Sequence, residues 1–242
     1  MAKFVVCNWK ENPRTMREAL ALARSSDAPH VAIAPPFPFL GAVRSIVRSA
    51  ALGAQDVFYE DGGAFTGAVS ASQLASVGVT YVLVGHSERR RLGDTDDIVA
   101  KKLRAAMRAR ITPILCIGET REERSARQSE TIIRRQLEKG LSLVASGYTL
   151  NPIIAYEPVW AISTESGAAP DTPENATRMI QLLKKLVVRD YALNPIFIYG
   201  GSVNVENAEG FLKQAEIEGA LVGSASLKEG DIKKIIEIAK QY

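Results

Sequence analysis

The chain has 242 residues, of which 24% are charged and 46% hydrophobic, and its formal net charge is +3. This composition is typical of an ordinary globular protein. The longest basic run is Arg89-Arg90-Arg91, and no basic face with interleaved aromatic residues is present, so we expect no nucleic-acid partner. We also expect no membrane association, because no apolar run is long enough to span a bilayer and the amino terminus lacks the apolar core of a signal peptide. A cytoplasmic location is therefore predicted.

The two cysteines support the same location. Cys7 and Cys116 each stand among apolar residues of a predicted strand. This setting favours reduced thiols in the protein core over a disulfide.

Short apolar runs rich in Val, Ile and Leu recur along the chain, and stretches with helical spacing follow them. The runs predict strands at residues 4–8, 31–34, 52–55, 81–84, 114–117, 153–156, 196–199 and 220–222. The clearest helical stretches are residues 15–23, 97–108, 130–144, 173–190 and 230–240. Apolar strands of this kind indicate a parallel sheet that is covered on both faces. Eight alternating units in this length predict the α/β fold class, as a closed (β/α)₈ barrel that forms one domain over residues 1–242.

Polar residues stand at the carboxyl ends of several predicted strands, where barrel enzymes place their active sites. Asn8 and Lys10 close the first strand, His86 follows the fourth, and Glu157 follows the sixth. A carboxylate at the end of an apolar strand is costly unless it has a task. Taken singly, these side chains also fit solvated turns or a structural histidine. Their common position favours a catalytic site.

The residues around His86 suggest its charge state and its neighbours. A helical turn is predicted to begin beside His86, and the partial positive charge of a helix amino terminus favours a neutral imidazole. Glu88 is a candidate charge partner for Lys10, and it fits a surface pair with Arg89 or Arg90 equally well.

Two glycine-containing turns follow the last two strands, at Gly200-Gly201-Ser202 and at Gly223-Ser224. Each alone fits an ordinary turn. Together they occupy the loops in which barrels often bind phosphate through backbone N–H groups and a short helix.

An ordered set of motifs extends over the chain from the first strand to the eighth. Together they resemble the triosephosphate isomerase family: Asn8-Trp9-Lys10, Gly63-Ala64-Phe65-Thr66-Gly67, Gly85-His86-Ser87-Glu88-Arg89-Arg90, Cys116-Ile117-Gly118-Glu119, Ala155 to Ile162, Tyr199-Gly200-Gly201-Ser202 and Leu221-Val222-Gly223.

The resemblance implies a triose phosphate substrate and a role for each site residue. Glu157 would abstract a proton beside the carbonyl, neutral His86 would polarise the carbonyl, and Lys10 and Asn8 would stabilise the negative charge. No metal and no organic cofactor would be required. Backbone N–H groups would bind the phosphate around Ser163, Ser202, Gly223 and Ser224.

The segment after Glu157 would form a mobile lid, and here the sequence departs from the family. The family usually has Ile-Gly-Thr-Gly where this chain has Ile162-Ser163-Thr164-Glu165, and Gly223-Ser224 replaces a glycine pair. A backbone N–H survives each change, although a non-glycine residue is strained where φ is positive. We expect Glu165 to face away from the phosphate, and glycine at positions 163 and 165 to change KM by less than about tenfold.

The loop of Phe65, Thr66 and Gly67 is too apolar at its tip for an ordinary exposed loop. In the family this loop inserts into a neighbouring subunit near Asn8 and Lys10, which implies a two-fold homodimer. The alternative is a loop that packs on its own barrel.

Two other functions are compatible with a phosphate-binding barrel. One is a different enzyme, such as an aldolase or a ribose-phosphate isomerase, which would lack this joint set of motifs. The other is a binding protein that has lost catalysis. The presence of Lys10, His86 and Glu157 argues against the second, and only the altered lid favours it.

Overall fold

The computed structural model describes residues 2–144, 150–162, 169–191 and 193–242. Eight parallel strands close into a barrel in which each strand pairs with the next and β1 pairs with β8. The predicted (β/α)₈ barrel is confirmed. The strands are β1 Phe4–Asn8, β2 Val31–Ala34, β3 Ala51–Ala54, β4 Tyr81–Val84, β5 Thr112–Ile117, β6 Ile153–Tyr156, β7 Ile196–Tyr199 and β8 Gly219–Val222.

Three strands differ from their predicted bounds, and one of them, β8, begins one residue earlier than predicted, at Gly219. Strand β5 begins at Thr112, because the Thr112 N–H donates to the Thr80 carbonyl and proline is tolerated next to the start of a strand. Strand β3 ends at Ala54, before Gln55, whose side chain turns back toward the loop after β1. The end of β3 at Ala54 places Gln55 at the mouth of the barrel.

Helices and short 3₁₀ turns connect the strands in the described part of the chain. The helices are α1 Met16–Ser26, α2 Leu40–Ile46, α3 Ala71–Ser76, α4 Ser87–Arg91, α5 Asp96–Arg108, α6 Arg121–Ser125, α7 Ser129–Leu141, α8 Pro173–Asp190, α9 Ala208–Leu212 and α10 Glu229–Ala239. Helix α8 has its predicted bounds, because the Thr172 side chain caps it and Pro173 starts its first turn. None of the helices described is both long and apolar enough to cross a membrane.

Side chains that alternate along the strands form two hydrophobic layers. Val6, Cys116 and Ile198 belong to the cluster inside the barrel, whereas Val5 and Cys7 pack outward with the helices. Both faces of the strands are therefore buried, which explains their continuous apolar sequence. The filled interior leaves the carboxyl ends of the strands as the place for a site.

Cys7 and Cys116 are free and buried, as the sequence predicts for core thiols. Burial raises the pKa of the Cys7 thiol to about 12. Burial and the nearby Glu157 carboxylate raise the pKa of the Cys116 thiol well above its usual value. Both thiols therefore stay protonated and unreactive at neutral pH.

Candidate active site

The strand ends bring the predicted site residues into one pocket at the carboxyl end of the barrel. The loops after β1, β4, β6, β7 and β8 all contribute to its wall. Ser163 and Glu165 lie outside the described residues. The pocket is lined by Asn8, Lys10, His86, Glu157, Ile162, Gly200, Gly201, Ser202, Val203, Leu221, Gly223 and Ser224.

Glu157 is buried, and two consecutive residues hold it. They are His86, which caps α4, and Ser87, the first residue of that helix. Its Oε1 lies 2.9 Å from His86 Nε2 and accepts the Ser87 hydroxyl at 3.0 Å, while its Oε2 accepts the Ser87 N–H at 3.1 Å. Burial raises the pKa of Glu157, but His86 and the two bonds from Ser87 lower it, and the net direction is down. Sequence reasoning missed Ser87, although its place beside His86 was a signal.

His86 caps helix α4 and also touches Glu157. Its Nδ1 accepts the Glu88 N–H at 3.2 Å, which places the single proton of a neutral ring on Nε2, facing Glu157. Burial lowers the pKa of His86, but the Glu157 carboxylate, through its charge and its hydrogen bond, and the nearby Glu88 carboxylate raise it, and the net direction is up. The partial positive charge at the amino end of α4 would by itself favour a neutral ring. The Glu157 carboxylate outweighs this effect while it lies against His86.

Lys10 is fixed at both its backbone and its side chain. Its φ of 53° lies in the left-handed region, and its N–H donates to Asn8 Oδ1 at 3.0 Å. Its Nζ lies 2.7 Å from Glu88 Oε1, so Glu88 pairs with Lys10. Arg89 and Arg90 form ion pairs with aspartates instead. Arg89 pairs with Asp56, and Arg90 pairs with Asp96.

The turn after β7 is shaped by close packing. A side chain at Gly201 would collide with the Tyr199 hydroxyl, which explains why glycine is required there. The Gly200 N–H donates to the Tyr156 carbonyl at 2.7 Å, so it is committed to the barrel. Gly223 precedes the 3₁₀ turn Ser224–Leu227.

A second buried carboxylate, Glu119, lies behind the site and was assigned no role from the sequence. It accepts Trp160 Nε1 at 2.9 Å, and the hydroxyls of Tyr156 and Ser129, each at 3.3 Å. The Arg124 guanidinium lies 3.4 Å from it and 4.0 Å from the centre of the Trp160 ring. Glu119 therefore ties the segment after Glu157 to the loop after β5.

Replacing Glu119 with alanine is expected to lower the free energy of unfolding by about 3–5 kcal/mol, because buried donors and Arg124 lose their acceptor. Urea denaturation measures the change. The exposed neighbour Glu122→Ala serves as the control and should change stability by less than about 1 kcal/mol. A loss below about 1 kcal/mol for Glu119→Ala would contradict this role.

The loop of Phe65, Thr66 and Gly67 is exposed on the surface. Phe65 is 45% exposed, with its ring 4.8 Å from that of Phe58. Beside the active site lies a cavity of about 440 Å³ whose wall includes Lys10, Phe37 and Leu92. Phe37 and Leu92 are themselves 38% and 74% exposed, so this side of the barrel mouth carries an apolar surface.

Metal ligands are not grouped in the part of the chain that the structure describes. No set of three or more His, Cys, Asp or Glu side chains there could hold a metal ion.

A closed (β/α)₈ barrel with a carboxylate, an imidazole and a lysine at its strand ends defines an enzyme of the barrel class. Residues 3–239 match the family model described as triosephosphate isomerase. Relatives named triosephosphate isomerase are 39% identical in Geotalea uraniireducens, 40% in Carboxydothermus hydrogenoformans and 42% in Alcanivorax borkumensis. The alignments cover 99%, 97% and 98% of this chain and 100%, 97% and 98% of the respective relatives. The chain belongs to the triosephosphate isomerase family.

Proposed function

We propose that this chain interconverts dihydroxyacetone phosphate and D-glyceraldehyde 3-phosphate by proton transfer through an enediolate. The observation that carries the proposal is that Glu157, His86 and Lys10 line the same pocket. The names of the relatives specify the triose phosphates as substrates.

Glu157 is the proposed base that removes a proton from the carbon next to the carbonyl. Both of its oxygens are committed to Ser87 and His86, so it has to leave these partners when substrate enters. Those partners lower its pKa while burial raises it. Leaving them therefore makes Glu157 a stronger base when the substrate is present.

His86, Lys10 and Asn8 are the proposed groups that stabilise the enediolate. Once Glu157 has moved, the Nε2–H of His86 is able to donate to the substrate oxygen. Lys10 adds a positive charge that the Asn8 contact and the Glu88 pair hold at the pocket. Donors fixed before the reaction stabilise a developing oxyanion without reorganising.

The proposed phosphate site is formed by backbone N–H groups of Ser202, Gly223 and Ser224, together with Ser163. The first three line the pocket with Glu157, and Gly200 and Gly201 form the turn that leads to Ser202. Neither a metal nor an organic cofactor takes part in the proposed reaction, because proton transfer needs only an acid, a base and oxyanion donors.

A coupled assay tests the activity. Glyceraldehyde 3-phosphate is supplied, and an NADH-linked dehydrogenase that reduces dihydroxyacetone phosphate reports the product. We expect turnover with this substrate. Ribose 5-phosphate is the control for another isomerase, with formation of ribulose 5-phosphate followed directly rather than through this dehydrogenase, and we expect no conversion of it. Binding of the triose phosphate without turnover would instead support the non-catalytic alternative.

Ser87→Ala is expected to move the acid limb of the kcat/KM profile to higher pH. The Ser87 hydroxyl is one of the groups that lower the pKa of Glu157, so its loss raises that pKa. A base acts only when unprotonated, and activity is then lost at a higher pH as the medium is acidified. The exposed Ser45→Ala is the control. A shift to lower pH would contradict the proposed role of Glu157.

We also propose a homodimer, in which the loop of Phe65, Thr66 and Gly67 enters the 440 Å³ cavity of a second copy. The exposure of Phe65, Phe37 and Leu92 supports this, since burying such surfaces favours association. A cytoplasmic location is part of the proposal and rests on the free thiols of Cys7 and Cys116.

A further inference from the structure

We propose that Gln136 is a positioning residue that holds the main chain of Glu157 in place through Gly118, so that the base swings toward the substrate from a fixed root. This inference deepens the proposed function and rests on the role of Glu157 as the base. Gln136 lies on α7, and the described residues that line the pocket of Glu157 do not include it. Its effect on the base therefore has to pass through another residue.

The main chain of Glu157 lies directly on the residues that follow β5. The Glu157 N–H donates to the Ile117 carbonyl at 2.7 Å, and the Val159 N–H donates to the Glu119 carbonyl at 3.0 Å. Gly118 stands between these two acceptors, and a side chain there would collide with the Glu157 carbonyl. Because the two main chains are in contact, a shift of Gly118 would move the root of the Glu157 side chain.

Gln136 binds both polar main-chain groups of Gly118. Its Oε1 accepts the Gly118 N–H at 2.9 Å, and its Nε2 donates to the Gly118 carbonyl at 3.1 Å. Both bonds would be lost if the amide were turned over, so they fix its orientation. Strand β4 pairs with β5 on the side away from β6, and it ends at Val84 opposite Leu115, so it does not reach Gly118. Gln136 thus supplies the donor and the acceptor that a longer β4 would supply.

Gln136 is the polar residue on the buried face of an amphipathic helix. It is 5% exposed. The other buried residues of α7 are Ile132, Ile133, Leu137, Gly140 and Leu141. Burying an amide among apolar side chains is costly unless its polar atoms are bonded, and here the Gly118 main chain bonds both of them.

Loss of the Gln136 amide would leave Gly118 with space to move. Both residues line a cavity of about 600 Å³, together with Val159 and Trp160 of the segment after Glu157. Glu157 would follow a shift of Gly118, and a displacement of about 1 Å in a reacting group lowers rates on the order of 100-fold. The proposed phosphate turns belong to other strands, so the loss should fall on kcat rather than on KM.

Gln136→Met tests the inference, because methionine has nearly the same length and keeps the packing of α7 but makes neither bond. We expect kcat for glyceraldehyde 3-phosphate to fall about 10- to 100-fold, with KM within about threefold of the native value. Circular dichroism checks that the variant is folded. The matched control is Ile133→Val, which trims a buried side chain of the same helix and should keep kcat within about twofold. Native-like kcat for Gln136→Met, or a rise in KM alone, would overturn the inference.

A double-mutant cycle with Glu157→Asp gives a readout that a merely structural role would not move. In Glu157→Asp the carboxylate is already withdrawn, so the further loss caused by Gln136→Met should shrink to less than about threefold. A helix that only stabilises the barrel would give the same factor in both backgrounds. Equal factors would overturn the assignment of Gln136 to Glu157.

Gln136→Leu removes the same two bonds with a side chain of another shape. We expect its kcat and its dependence on Glu157→Asp to match those of Gln136→Met within about threefold. A native-like Gln136→Leu beside an impaired Gln136→Met would assign the loss to packing and overturn the inference.

Glu157→Asp alone separates the two possible failures. If it lowers kcat strongly while both Gln136 variants remain native-like, only the inference about Gln136 is wrong. If Glu157→Asp itself changes kcat by less than about threefold, the proposed role of Glu157 fails, and with it the basis for Gln136.

Discussion

Glu157→Asp is expected to lower kcat by about 100-fold or more, while KM changes by less than about tenfold. The substitution keeps the charge and shortens the side chain by one methylene, so the carboxylate is withdrawn by about 1 Å from the carbon that loses the proton. Misplacement of this size in a reacting group is enough for a loss on the order of 100-fold. In the proposed site, substrate binding depends mainly on the phosphate turns and on Lys10, which the substitution leaves in place.

Steady-state kinetics in both directions of the isomerisation measure the effect. Glu216→Asp makes the same chemical change at a side chain that pairs with Lys184 on the surface, and it should keep kcat within twofold. A near-normal kcat for Glu157→Asp would remove Glu157 from the role of base. An equal rise in KM with unchanged kcat would assign it to binding instead.

The sequence predicted the elements whose local signals agree with their tertiary setting. Strands β1, β2, β4, β6 and β7 have the predicted bounds, because a continuous apolar run is also what a strand buried on both faces requires. The order of strands and helices was then sufficient to predict a closed barrel. It also placed Asn8, His86 and Glu157 at the same end, since parallel strands all point one way.

What the sequence did not show are contacts between residues far apart in the chain. Ser87 holds Glu157 across 70 positions, and Gln55 holds Lys10 across 45. Apart from the place of Ser87 beside His86, no local pattern marks either pair, because a serine in a first helical turn and a glutamine at a strand end are both common. The pKa of His86 has the same origin, since its rise depends on Glu157 from another strand.

Replacing Phe65 and Thr66 together with lysine is expected to give monomers whose activity is lowered more than about 100-fold. Phe65 is 45% exposed and would be buried in the partner's cavity, where a lysine lacks the apolar contact and carries a charge toward the partner's Lys10. In the proposed dimer this loop completes the wall around Asn8 and Lys10 of the other copy. Loss of the loop contact would therefore leave Lys10 of the other copy without this wall, although Glu157 and His86 are unchanged.

Sedimentation velocity and the coupled assay, run on the same samples, separate assembly from catalysis. The control is Ile196→Lys, which places a lysine on another exposed apolar side chain at the amino end of β7, away from the barrel mouth, and should stay dimeric and active. Monomers with full activity would show that the loop contributes nothing to a neighbouring site. Dimers with full activity would show that Phe65 and Thr66 lie outside the interface. In the proposed dimer the affected Lys10 lies on the partner's barrel, so a mixture of the double variant with Lys10→Met tests the arrangement. The double variant supplies an intact Lys10 and Lys10→Met supplies an intact loop, so heterodimers should regain part of the activity only if the loop acts in trans.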